Sequence, residues 1–120
     1  MNNDLFNDTT MQGLQYALNS LSLRQQVLAN NIANAQTPGY VSQDVSFEDR
    51  LGAILSGSDT SATPNSTGTV IATPDMTTSP NGNTVSMESE MSKTSETGIM
   101  YDALTQLTAD RMGVLKTAIG

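Results

Sequence analysis

Apolar side chains recur at Leu14, Leu18, Leu21, Leu28 and Ile32, with Gln25 and Ala35 on the same line, so that every step is three or four residues. That period is the stripe of an amphipathic helix. A second stripe runs through Tyr101, Leu104, Thr108, Met112, Leu115 and Ile119, and Met100, Leu107 and Val114 add a line at heptad spacing. The spacing predicts helices over residues 10–36 and 87–120, at the two ends of the chain. Each stripe must be buried, and the simplest solution pairs the two helices as an antiparallel coiled coil. One pair leaves part of each stripe wet, so further helices are expected from neighbouring copies or other proteins.

The first helix has a clear stop. Thr37 precedes a proline and is pushed out of the α region. Pro38-Gly39 then suits the central positions of a type II turn, where glycine accepts a positive φ. Beyond it Val41, Gln43, Val45 and Phe47 alternate, which predicts a short extended segment. A brief helical turn over 47–55 would place Phe47, Leu51, Ile54 and Leu55 on its apolar side. Residues 37–55 are therefore read as turn plus short extended or helical segment. Residues 56–86 are rich in Ser, Thr and Pro and poor in charge, so they are read as a long flexible loop with one extended piece at Thr69-Val70-Ile71. Pro80-Asn81-Gly82 reads as a turn. Ser86 suits the cap of the second helix, with Glu88 and Glu90 in its first turn, where the helix dipole favours negative charge. Residues 1–9 read as a frayed end, with Thr9 or Thr10 able to cap the first helix. The fold class is mainly α.

Composition narrows the chemistry. The chain has 120 residues, 37% apolar and 4% aromatic, without tryptophan. It allows one small domain with a thin core, for which a partner or an assembly supplies the missing burial. A net charge of −7 argues against nucleic acid and against an anionic membrane surface. No apolar run is long enough to span a membrane. The N-terminus lacks the basic and apolar regions of a cleaved secretory signal. There is no cysteine and no histidine, which removes disulfides, thiolate and imidazole metal ligands, and the commonest general base. No nucleotide-binding glycine motif is present. Asp44, Glu48 and Asp49 are the nearest carboxylate cluster, and a solvated loop face explains them. No catalytic residue, metal or cofactor is expected. The seven methionines suit core or interface filling.

The amides at Asn30, Asn31 and Asn34 are costly in a helix. Asn31 borders the Leu28–Ala35 side, where a packed polar residue fixes register at the expense of stability. Asn30 and Asn34 share one face, either to bond a neighbour's backbone or simply as exposed helix-end residues.

The run "LSLRQQVLANNIANAQTPGYVSQDVSFEDRL" resembles the N-terminal signature of flagellar axial proteins of the rod and hook class. Its core is Leu28-Ala29-Asn30-Asn31-Ile32-Ala33-Asn34 followed by Thr37-Pro38-Gly39-Tyr40. Asp44-Val45-x-Phe47 with Leu51 looks like the proximal-rod members. "NGNTVSMESEM" and "MGVLKTAIG" are similar to the start and end of their C-terminal helix. Residues 99–104 depart from the family's more basic run, and the middle of the chain matches nothing.

The resemblance implies a structural subunit of the bacterial flagellar basal body, not an enzyme. It implies terminal helices that pack as a coiled coil in a hollow periplasmic rod, which transmits torque and lines the export channel. Implied partners are further copies, the rod subunit FlgC, the adaptor FliE, the membrane ring and the export gate, reached by type III export without a cleaved signal. Leu14, Leu18, Leu21, Leu28, Ile32, Leu104, Leu115 and Ile119 are the candidate helix seam. Asn30, Asn31, Asn34, Thr37, Pro38, Gly39, Tyr40, Asp44 and Phe47 are the candidate shaped contact. Asp4-Leu5-Phe6 is a candidate export signal. A different rod subunit such as FlgC, or a soluble coiled-coil export adaptor or chaperone, is the rival reading.

Overall fold

A computed structural model describes residues 9–73 and 85–119, except the side chains of Leu115 and Ile119. Of the frayed end expected over 1–9, residues 1–8 lie outside the described residues and Thr9 already begins a helix; the Asp4-Leu5-Phe6 signal and the Pro80-Asn81-Gly82 turn also lie outside the described residues. The order is α1 (Thr9–Ala33), β1 (Gln43–Ser46), α2 (Glu48–Ser56), β2 (Thr69–Ala72) and α3 (Met87–Ile119). The protein is mainly helical, with three helices and one two-stranded sheet.

α1 ends at Ala33, short of the Gln36 read from its sequence. Asn34 causes this locally. Its Nδ2 donates to the Asn30 carbonyl at 2.9 Å, and the chain tightens into i−3 bonds, Ala35 N–H to Ile32 O and Thr37 N–H to Asn34 O. These partners satisfy carbonyls that a helix end leaves orphaned. Tyr40 N–H then closes on Thr37 O at 3.2 Å, with Gly39 at φ +78°, the bond and the dihedral of a type II turn.

α2 is a full short helix. It stops at Gly57, whose φ of +85° is left-handed, and Ser58 N–H returns to Ala53 O at 3.0 Å, as helix ends at glycine commonly do. β1 and β2 pair antiparallel, with Gln43 opposite Ala72 and Ser46 opposite Thr69. At α3 the Ser86 Oγ accepts from Ser89 N–H at 3.4 Å.

The segment expected to be a flexible loop has a defined course over residues 57–73. Arg50 Nε donates to Asp59 Oδ2 at 2.9 Å. Asn19 Nδ2 donates to the carbonyls of Pro64 at 2.8 Å and Ser66 at 3.0 Å. Gly68 N–H donates to the buried Ser20 Oγ at 2.8 Å. Polar side chains of α1 thus hold a polar segment by its backbone, and Arg50 of α2 holds it by the Asp59 side chain, which apolar composition cannot reveal.

The core consists of Tyr16, Leu21, Val27, Val45, Phe47 and Ile54, with Leu23, Leu51, Ala62 and Leu104 packed against it. It is built from α1, β1 and α2, and α3 contributes Leu104. α1 is the central element, because its buried face is broad enough to meet α2, β1 and α3. Gly13 permits the closest approach, since a Cβ there would collide with Leu55 of α2.

Candidate assembly site

Asn31 lies in the last turn of α1 and is fully buried. An amide offers two N–H donors and two oxygen lone pairs, and Asn31 uses all of them. Its Nδ2 donates to Gln43 O at 2.7 Å and to Glu90 Oε2 at 2.8 Å. Its Oδ1 accepts from Tyr40 OH at 3.2 Å and Gln43 N–H at 3.0 Å. One side chain therefore joins α1, the turn, the outer edge of β1 and the first turn of α3. A buried amide with every bond made avoids the desolvation penalty of an unmet polar group.

The other motif residues act close to home. Asn34 holds the helix end and accepts from Thr37 Oγ1 at 3.1 Å. Asn30 is exposed, with its carbonyl bonded to Asn34. Pro38 and Gly39 are exposed at the turn, and Tyr40 is half-buried against Asn31. Asp44 receives Arg24 of α1 in a fork, Nε at 2.7 Å and Nη2 at 3.1 Å, and its Oδ1 also accepts from Val45 N–H at 2.7 Å. Phe47 enters the core.

The candidate seam divides. Leu14, Leu21 and Leu28 are buried, and Leu18, Ile32 and Leu104 are half-buried. Leu115 and Ile119 lie in α3, with side chains outside the description. Contacts climb α3 as they descend α1: Asn31 meets Glu90, and Gln25 Nε2 donates to Thr94 O at 3.4 Å. Along the rest of α3, Met100, Leu107 and Val114 are exposed by 37%, 50% and 68%. Seven residues apart, they line one face of the helix.

Residue reading missed three positions. Tyr16 and Ser20 lie off the predicted stripe and are buried, Tyr16 under the Arg50 guanidinium at 5.4 Å from its ring centre. Glu90 reads from sequence as helix-start electrostatics, yet it is fully buried on Asn31. Its pairing spans 59 residues, so no local pattern could expose it. Among the described residues, the half-buried Asp59 has a perturbed titration. The Ser61 hydroxyl and backbone N–H, then Arg50, hold it at about 2, below the usual 3.8. Among the described residues, no cluster of three or more acidic side chains is placed to hold a metal ion, and no helix is long and apolar enough to cross a membrane.

A turn locked to a central helix, with a second helix exposing an apolar line, is the equipment of an assembling structural protein. Residues 11–40 match the family described as flagella basal body rod protein. The flagellar basal body rod protein FlgB of Bacillus subtilis (strain 168) is 34% identical over 123 residues, covering 92% of either chain. The FlgB of Escherichia coli (strain K12) is 46% identical over 48 residues, 40% of this chain and 35% of the relative. That of Buchnera aphidicola subsp. Acyrthosiphon pisum is 54% identical over 41 residues, 34% of this chain and 31% of the relative. The chain belongs to the FlgB family of flagellar basal body rod proteins, structural subunits of the rod.

Proposed function

We propose that the chain builds the proximal, periplasmic part of the rod. Its terminal helices interlock as an antiparallel coiled coil, within the subunit and with neighbours, so that the rod transmits torque and lines the export channel. Its neighbours are further copies, FlgC, the adaptor FliE, the membrane ring and the export gate. Leu14, Leu18, Leu21, Leu28, Ile32, Leu104, Leu115 and Ile119 form the helix seam. The turn from Thr37 to Tyr40, held by Asn31, sets the direction in which the chain leaves the inner helix.

One observation carries this reading. α3 exposes Met100, Leu107 and Val114 in a single line at heptad spacing, the kind of line that a second helix lying along it covers. Helical assembly requires that kind of heterologous contact, one patch meeting a different patch on the next subunit.

The test is mass spectrometry and electron microscopy of basal bodies purified from the source bacterium, with and without this gene. The expected result is the chain in wild-type basal bodies, and a membrane ring without a rod in the deletion strain. Rods that assemble normally without the gene would overturn the proposal in favour of a soluble coiled-coil adaptor.

A further inference from the structure

We infer that Glu90 is a positioning residue that sets the axial register of α3 against α1, and with it the height of α3's apolar line relative to the turn. The functional consequence rests on the proposed role of α3 in assembly; the register itself does not.

The apolar contacts leave register open. Among the described side chains of α3, Leu104 is the one packed against the core cluster, and one turn away on either side Met100, Tyr101 and Leu107 could take its place. The hydrogen bond nearer the start of α3 selects no particular residue, since Gln25 touches a backbone carbonyl at Thr94, which any residue offers. Thr97 is buried with its Oγ1 unpartnered among the described residues.

Glu90 is different. Its Oε2 takes one of the two Asn31 N–H bonds at 2.8 Å, and its Oε1 lies 3.6 Å from Lys93 Nζ. A slide of one turn in either direction brings Ser86, Met87, Lys93 or Thr94 to Asn31. None of these carries a carboxylate, and Glu90 would be left buried without its donor. Displaced registers are penalised electrostatically at this point, as a single buried polar residue does in helix pairs. Asn31 spends its remaining bonds on Tyr40 and Gln43, so the same contact ties α3 to the turn and to β1.

The absence of cysteine allows a direct measurement on the full chain. Spin labels go on Gln26→Cys of α1 and Asp110→Cys of α3, both exposed positions, and pulsed electron paramagnetic resonance reads their separation. The parent and Glu90→Gln, which keeps the acceptor, should give the same single distance. Glu90→Met should keep its helix signal by circular dichroism while the distance broadens or shifts by about 5 Å, one helical turn. An unchanged distance in folded Glu90→Met overturns the inference. If that variant unfolds, Glu90→Thr with Thr94→Glu decides, because it moves the carboxylate by one turn. α3 should then follow, with a shift of about 5 Å; an unmoved distance, or loss of the helix signal, overturns the inference. A shifted register in cells that still swim normally would leave the register role standing and remove the proposed role of α3 in assembly.

Discussion

A methyl group at Gly39 would meet open space, since nothing lies within 4 Å of where its Cβ would sit. The cost of Gly39→Ala is then purely the backbone's, from holding an L-residue at φ +78°, about 1–2 kcal/mol. Gly68→Ala tests the opposite case. Its Cβ would lie 2.6 Å from Ser46 O and 2.7 Å from both Phe47 Cβ and Val45 Cγ1, and overpacking of that kind costs about 1–3 kcal/mol. Urea unfolding should show both losses, and hydrogen exchange should place the second one at residues 67–72. Asp59 adds a pH prediction. Its folded pKa, about 2, is depressed below 3.8, so its contribution to stability is fully present above 3.8 and disappears as pH falls through 2. A carbon-13 carboxyl titration that puts Asp59 near 4 would remove the Ser61 and Arg50 contacts from the account. At this scale the turn was legible, because Thr37, Pro38, Gly39 and Tyr40 interact within four residues of one another. Asn31 was legible as a packed amide, but not its partner, because the sequence places Glu90 beside its own helix start and far from Asn31.

Between elements, Asn19 is the clearest single tie. It holds the Pro64 and Ser66 carbonyls on α1, and Asn19→Ala removes both bonds together with the one its Oδ1 accepts from Gln15 Nε2 at 3.0 Å. The expected loss is about 1–3 kcal/mol, and limited proteolysis should cut first within residues 60–67. Resistance equal to the parent would mean that Arg50 and Ser20 hold the segment by themselves. Helical period marked α1 and α3, because an apolar stripe is a property of the helix's own sequence. Alternation marked β1, and the β-branched Thr69-Val70-Ile71 marked the strand that pairs with it. The order of residues 57–68 was hidden, since it depends on α1 side chains reaching backbone groups and on Arg50 of α2 reaching Asp59, and a Ser- and Thr-rich composition describes a free loop equally well.

On the scale of the whole molecule the dimensions are 61 × 25 × 18 Å, and the 33 residues of α3 account for about 50 Å of length. The compact part is small and the long helix is only partly covered, so substitutions on the two kinds of surface should separate folding from assembly. Leu28 is fully buried in α1. Leu28→Asp places an unpaired charge in the interior at a cost of several kcal/mol, a large share of the roughly 5–15 kcal/mol that holds a domain together, so the variant should be unfolded by circular dichroism and absent from rods. Leu107 is half-exposed, and Leu107→Glu should change stability by no more than about 0.5 kcal/mol. In an assembled rod the same carboxylate would be trapped against a neighbouring helix. The Leu107→Glu chain should therefore melt like the parent while cells that carry it fail to spread in soft agar and yield basal bodies without a rod. Normal spreading with full-length rods would mean that the Met100, Leu107 and Val114 line faces water in the assembly, and the contacts between subunits would have to be sought on the exposed side of α1 instead.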